Sequence, residues 1–188
     1  MKKSLVLAGL LSVSSIAMAD VYVGVDYGIN SNTDTATGRV NGSQENSYSD
    51  LSIKVGYGID GDWKTQLRLS KISYDKTIFD DSHKNLTELG VDAIKEFSIH
   101  SYKGLYPYLK VGLAYGSMDV DGYDDSSIGE VSFNVGAGVS YKVVNHLYVV
   151  GGVDYVGRRW SDTVYSDGSS TSVTGSGFKP YMGINYSF

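Results

Sequence analysis

The chain of 188 residues has no cysteine and only two prolines. The absence of cysteine excludes a disulfide framework, a thiol nucleophile and a thiolate metal site. Basic residues are in the minority, with 16 Lys and Arg against 21 Asp and Glu, which argues against a nucleic-acid partner. Beyond the N-terminal segment, no apolar run approaches the roughly 18 residues of a membrane-spanning helix.

The N-terminal segment is typical of a secretory signal peptide. Met1-Lys2-Lys3 is a short basic region, residues 5–16 are largely apolar, and Ala17-Met18-Ala19 is a small-x-small cleavage site. We therefore expect residues 1–19 to be a signal peptide, cleaved after Ala19, and residues 20–188 to form one domain. An uncleaved N-terminal anchor is the alternative, but the apolar run is short for one.

The rest of the chain alternates between apolar and polar residues. Eight segments show this period of two, and they begin near Val21, Leu51, Trp63, Leu89, Leu109, Val131, Leu147 and Phe178. Such a period indicates β-strands with one apolar and one polar face. A soluble sandwich would turn the apolar face inward, whereas a transmembrane barrel would turn it toward lipid.

The composition of the polar face favours the barrel. It contains many glycines, which a narrow barrel needs where strands crowd and which only weaken a solvated strand. It also contains charges of both signs, which can pair in a lumen removed from bulk water. We expect twelve charged side chains to form a structural network in the lumen: Asp26, Lys54, Lys64, Arg68, Glu88, Asp92, Glu96, Lys110, Lys142, Asp154, Arg158 and Lys179.

The lengths of the connections favour the same architecture. The long connections are predicted at 31–47, 75–85, 117–129 and 159–176. The short ones are predicted at 60–62 and 143–146, with a connection of middling length at 100–105. This alternation is typical of a barrel with long extracellular loops, short periplasmic turns and both termini in the periplasm.

Aromatic residues are predicted to form two girdles, one at each membrane interface. The outer rim would hold Tyr27, Tyr115, Phe133, Tyr155 and Phe178, and the inner rim Tyr57, Trp63, Phe97, Tyr141, Tyr186 and Phe188. Three charges on the lipid side, Lys71, Lys95 and Arg159, lie near strand ends, where they can snorkel. The sequence therefore predicts an all-β, eight-stranded, antiparallel up-and-down transmembrane β-barrel.

The end of the chain and two of its strands resemble a known family. The segment 181–188 ends in Phe188, with Tyr186 two positions before it, and resembles the C-terminal signal of bacterial outer-membrane barrels. That resemblance implies recognition by the barrel-assembly machinery. Segments 108–116 and 133–141 resemble the small eight-stranded family of outer-membrane proteins A and X, the opacity proteins and "porin family" chains. The resemblance implies a bacterial outer-membrane location, in contact with lipid and lipopolysaccharide.

Two motifs that could bind a ligand are better explained structurally. Residues 56–61 match the G-x-G-x-x-G fingerprint, but an alternating segment follows where a dinucleotide site needs a helix. The acidic segment 119–130 has calcium-loop spacing, but its sharp-turn position is Asp124 where such a loop needs glycine. We therefore predict neither a cofactor nor a metal site.

The three histidines do not predict a catalytic site. His100 and His146 are placed at periplasmic turns, and His83 lies in an outer loop beside Asp80, Asp81 and Ser82. A catalytic base must be in contact with a nucleophile and with an orienting group, and sequence neighbours do not establish that geometry. We interpret His83 as a polar loop residue, and no catalytic residue is predicted.

Three functions remain open for such a barrel. Because an eight-stranded lumen is about filled by its own side chains, the preferred hypothesis is a non-enzymatic surface protein. It would support the envelope and contact host or environmental ligands through loops that contain Tyr48, Tyr123 and Tyr165. The alternatives are a small porin-like pore and a barrel enzyme that acts on lipid.

Overall fold

A computed structural model describes residues 21–60, 62–79, 82–99, 102–120, 127–164 and 168–188. The strands are β1 (Val21–Gly38), β2 (Gly42–Asp60), β3 (Trp63–Tyr74), β4 (Ser82–Glu96), β5 (Leu105–Val120), β6 (Ser127–Val144), β7 (Leu147–Trp160), β8 (Thr163–Val164) and β9 (Ser170–Ser187). The expected signal peptide, residues 1–19 with its cleavage site at Ala19, lies outside the described residues and stays a prediction. Within the described residues, no helix has the length and apolar character needed to cross a membrane.

The eight long strands form a closed antiparallel ring. Each pairs with the next along the chain, and β9 pairs with both β7 and β1. Val25 of β1, for example, lies between Ile53 of β2 and Ile184 of β9. The two-residue β8 pairs only with the start of β9, through Thr163 and Thr171. Closure leaves none of the long strands with an open edge, and the predicted eight-stranded up-and-down barrel is confirmed.

The strands extend further at one end than the sequence predicts. The expected connection at 31–47 is instead a hairpin, because β1 continues to Gly38 and β2 begins at Gly42. Gly38 has a φ of +130°, which a residue with a side chain rarely adopts. The Asn41 side chain closes the turn, accepting from the Gly38 amide at 3.1 Å and donating to its carbonyl at 2.9 Å.

The outward face changes from apolar to polar at one level around the barrel. On β1 the exposed Ile29 is followed, at the next outward positions, by Ser31 and Thr33. The same change separates Leu51 from Ser49, Leu69 from Lys71, Leu89 from Thr87, Tyr115 from Ser117 and Phe178 from Ser176. We call the part with the apolar exterior the membrane section and the part beyond this level the outer section.

The interior changes too, from mainly polar in the membrane section to partly apolar in the outer section. Inside the membrane section it is mainly polar, but the outer section encloses an apolar core of Tyr48, Ile72, Tyr74, Leu86, Met118, Trp160 and Val173. All seven residues lie outside the strands predicted from the sequence, so the sequence analysis did not identify this core. In the outer section the exterior meets water, so apolar side chains gain by turning inward, at about 1.5–3 kcal/mol for each large one fully buried.

Candidate functional site: the lumen charge network and the outer section

The centre of the lumen is a buried carboxylate held by two arginines. Glu88 of β4 is 1% exposed. Its Oε1 lies 2.6 Å from Nη1 of Arg68, and its Oε2 lies 3.1 Å from Nη2 of Arg158. Ser132 donates to the same Oε2 at 3.1 Å. Because Arg158 comes from β7, which is not a neighbour of β4, this contact crosses the interior and ties opposite walls of the barrel.

Three further buried ion pairs surround this centre. Lys54 Nζ lies 2.6 Å from Asp26 Oδ2 on the neighbouring strand. Two pairs reach past an intervening strand: Lys110 Nζ to Asp154 Oδ2 at 2.8 Å and Lys179 Nζ to Asp50 Oδ2 at 2.7 Å. The Lys110 ammonium also lies 4.1 Å from the centre of the Tyr181 ring. Pairing of this kind offsets the cost of burying each charge.

The twelve residues assigned to the lumen by sequence occupy two environments. Nine are buried: Asp26, Lys54, Arg68, Glu88, Asp92, Lys110, Asp154, Arg158 and Lys179. Lys64, Glu96 and Lys142 are half-buried near the inner end of the barrel. Lys64 and Glu96 pair there at 2.7 Å.

Two members of the network were not predicted from the sequence. Asp50, the partner of Lys179, and Glu130, 3.9 Å from Arg158, are both buried. The signal was present, because Asp50 shares a face with Lys54 and Glu130 shares one with Ser132 at the spacing of two. The predicted strands began at Leu51 and Val131, one residue too late to include them.

Several of the lumen carboxylates, those of Asp26, Asp92 and Asp154 among them, lie directly against strand glycines. A methyl group at Gly183 would overlap the carboxylate of Asp26, and one at Gly112 would overlap that of Asp92. Glycine at these positions therefore creates room for the charged side chains.

Tyr48 joins the charge network to the apolar core of the outer section. Arg158 Nη1 donates to the Tyr48 hydroxyl at 2.5 Å, and the guanidinium carbon lies 4.6 Å from the ring centre. Tyr48 was predicted as an exposed loop contact, but it is 1% exposed, and that prediction is wrong. It sits on the inward face of β2, whose extension was read as loop. Tyr123 and Tyr165 lie outside the described residues.

Two cavities lie at opposite ends of the interior. The inner one, of about 20 Å³, is lined by Asp26, Lys54 and Lys110 among others, and has room for one or two waters. The outer one, of about 260 Å³, opens at the tip of the outer section beside Asp34 and Val173. The central cluster around Glu88 and the apolar core fill the space between them.

The aromatic residues assigned to the two rims are all exposed on the exterior. At the outer rim the Tyr155 ring lies 6.1 Å from Phe133 and 5.4 Å from Phe178. At the inner rim the Tyr186 and Phe188 rings lie 5.3 Å apart, and the Phe188 amide donates to the Val21 carbonyl at 3.0 Å. The exterior therefore has the two aromatic belts that a bilayer selects.

The lipid-side charges lie near strand ends, as expected. Lys95 Nζ lies 3.5 Å from Asp62 and 5.3 Å from the centre of the Trp63 ring, at the inner rim. At the outer boundary, Arg159 lies 3.8 Å from Asp162 and Lys71 is exposed. Each can reach water or headgroups along its aliphatic stem.

The histidines and the acidic segment are only partly described. His83 is exposed near the start of β4, whereas Asp80, Asp81 and His100 lie outside the described residues. His146 Nδ1 lies 2.9 Å from the Ser187 carbonyl oxygen at an inner turn. Residues 121–126 of the calcium-like segment also lie outside the description. No group of three potential metal ligands occurs in the part of the chain that is described.

A closed ring of eight strands with an apolar exterior, aromatic rims and a charged interior defines a transmembrane β-barrel. Over residues 4–188 the chain matches the family described as the outer membrane protein beta-barrel domain, and it belongs to that family. Its location is therefore the bacterial outer membrane. Comparison with curated proteins gives no match.

Three solved structures with the same fold are distant in sequence. Neisserial surface protein A is 21% identical, with a TM-score of 0.58 over 89% of this chain and 97% of that one. OprG of Pseudomonas aeruginosa is 12% identical, with a TM-score of 0.57 over 91% and 97%. The outer membrane protein AlkL is 13% identical, with a TM-score of 0.54 over 91% and 90%. At these identities the likeness concerns the fold alone.

Proposed function

We propose that this chain is a non-enzymatic surface barrel. Its membrane section anchors it and contributes to the envelope, and its outer section contacts host or environmental ligands. The observation that carries the proposal is the filled interior, in which buried ion pairs around Glu88 lie beneath the apolar core containing Trp160. An interior occupied in this way provides no wide path for solutes, so contacts with other molecules fall to the exterior.

The asymmetry of the barrel supports a proposal for its orientation. Tyr22 and Ser187 are paired at the end opposite the outer section, where β1 begins and β9 ends. In outer-membrane barrels short turns face the periplasm and longer extensions face the exterior. We therefore place both termini in the periplasm, with Tyr186 and Phe188 as the recognition signal for the barrel-assembly machinery.

Lipopolysaccharide is the proposed neighbour at the outer boundary. Lys71 and Arg159 project outward at the level where the exterior changes from apolar to polar. Cationic groups at this depth lie near the phosphates of the outer leaflet, where a charge-assisted contact is favourable. The two residues lie on β3 and β7, so they would contact separate lipid molecules.

Single-channel recording tests the closed lumen. The refolded chain, whose folding is checked by a mobility shift between boiled and unboiled gel samples, should insert into planar lipid bilayers without discrete conductance. The Glu88→Ala variant, if it folds, is the matched sample, because it lacks the ion pairs that Glu88 makes with Arg68 and Arg158. Steady discrete conductance of the unaltered chain would replace the surface role with a pore.

A cell-attachment assay tests whether the outer section contacts host or environmental ligands. Bacteria that produce the chain should adhere to surfaces coated with extracellular matrix more strongly than cells that lack it. A variant with Arg39 and Val40 at the tip of the first hairpin replaced by serine should lose part of that adhesion while keeping its heat-dependent mobility. Equal adhesion by cells with and without the chain would contradict the contact role.

A further inference from the structure

The cavity at the tip of the outer section is lined by both apolar and polar residues. The apolar part of the lining is Ala36, Val40, Ile78 and Val173. The polar part is Asp34, Ser43 and Gln44, of which only Asp34 carries a charge, and Gly42 completes the lining. Ala36, Ile78 and Val173 also belong to, or pack against, the apolar core, so the floor of the cavity is continuous with that core. Its volume of about 260 Å³ is many times what one water needs.

Asp34 is a buried acid without a cationic partner among the described residues. It is 7% exposed, and its oxygens accept from Asn32 Nδ2 at 2.6 Å and Asn46 Nδ2 at 3.4 Å. It forms no ion pair with any described lysine or arginine, whereas the buried aspartates of the lumen network, Asp26, Asp50, Asp92 and Asp154, each have one. Burial raises the pKa of the Asp34 carboxyl, and the two amide hydrogen bonds oppose this only in part.

A ligand that fits must satisfy both the apolar lining and the Asp34 carboxylate at once. The apolar side gains from contact with an alkyl or aryl group, and the carboxylate gains from a cationic donor in a place where water is scarce. Neither an anion nor a purely apolar molecule meets both conditions. The asymmetry of the cavity is typical of small-molecule sites, in which a few polar groups in an apolar lining fix the orientation.

We propose that this outer cavity binds small amphiphilic amines, with the ammonium group at Asp34 and the apolar group against Val173, Ile78 and Val40. The inference rests on the proposed exposure of the outer section to the exterior. It is independent of whether the lumen conducts, so the recording experiment and the binding experiment below can fail separately.

Methyl NMR of the chain in zwitterionic lipid nanodiscs tests the proposal. With alanine, isoleucine and valine methyls labelled, phenethylamine should shift the signals of Ala36, Ile78 and Val173 in a saturable manner. The neutral isostere 2-phenylethanol should bind at least tenfold more weakly, and 3-phenylpropionate should not bind. Equal affinity for the amine and the alcohol would overturn the proposal.

Two aspartate variants separate the site from general charge effects. Asp34→Asn should weaken phenethylamine binding at least tenfold while leaving 2-phenylethanol nearly unchanged. Asp119→Asn, which removes the same charge from an exposed position on β5, should change neither. Undiminished amine binding by Asp34→Asn, with its folding verified on the gel, would overturn the assignment. Shifts at the lipid-facing Val55 in place of Val173 would overturn it too, because they indicate partition into the bilayer.

Discussion

Arg158 and Glu88 meet across the interior of the barrel at 3.1 Å, although 70 residues separate them in the chain. Arg158 lies on β7 and Glu88 on β4, so neither strand's own hydrogen bonds bring them together. The pair therefore fixes the distance between opposite walls. Through Tyr48, which accepts from Arg158, it also connects the charged lumen to the apolar core above.

Removing Glu88 should be strongly destabilising. Glu88→Ala leaves Arg68 and Arg158 buried without their shared carboxylate, and breaking a buried pair in this way costs about 3–5 kcal/mol of unfolding free energy. Denaturant unfolding in lipid vesicles measures the loss. Asp162→Ala, which breaks the exposed contact to Arg159, should cost no more than about 1 kcal/mol. Similar losses in the two variants would show that the lumen network does not stabilise the barrel.

The two tryptophans should report different environments. Trp63 is exposed at the inner rim, and Trp160 is buried in the core of the outer section. In lipids with brominated chains, a protein that retains only Trp63 should lose most of its fluorescence. A protein that retains only Trp160 should keep it. Equal quenching would place the outer section within the bilayer and contradict the assigned boundary.

The apolar core should hold the outer section together. Leu86 is 0% exposed, so Leu86→Ala leaves a cavity and costs about 2–5 kcal/mol. Faster amide exchange is expected in the extensions of β1 and β2, while the membrane section stays protected. Leu89→Ala, on the same strand but 60% exposed toward lipid, leaves a gap that acyl chains can fill. It should leave exchange in the outer section unchanged, and an equal effect of both variants would argue against a separate core.

Mild acid should stabilise the outer section. Burial raises the pKa of Asp34, and the nearby positive charge of Arg158 only partly offsets this. A raised pKa of a carboxyl group in the folded state means that its contribution to stability is full below the unfolded pKa and is lost as the pH rises through the folded value. Protection factors of outer-section amides, corrected for intrinsic exchange, should therefore fall as the pH approaches neutrality. Asp34→Asn should reduce this pH dependence, and Asp119→Asn should retain it.

Loss of the terminal aromatic should affect assembly in cells more than folding itself. Deleting Phe188 should lower the amount of protein in the outer membrane several-fold, because the proposed recognition signal is gone. Refolding of the purified variant into lipid vesicles should proceed as before, since Phe188 is a half-exposed rim residue. Tyr141→Ala removes another inner-rim aromatic and should assemble normally. Equal assembly defects in both variants would assign the effect to the aromatic belt instead of the terminus.

The sequence by itself determined which side of each strand faces lipid. Side chains alternate across a strand by covalent geometry, so Val25 and Tyr27 had to share one face of β1 and Gly24 and Asp26 the other. The eight-stranded barrel and both aromatic rims followed from that period. The strand ends were predicted wrongly where the alternation continues with polar residues on the outward face. Ser31 and Thr33 are typical of loops, so the predicted strand ended before them.

Only the tertiary structure decided which charges meet. Alternation places Lys179 and Asp50 in the lumen, but their 2.7 Å contact depends on the closure of the ring and the stagger of strands that are not neighbours. It also decided that Tyr48 is buried and that an apolar core lies inside the outer section. Which groups turn inward depends on whether the exterior meets lipid or water, and that boundary becomes visible only when all the strands are aligned.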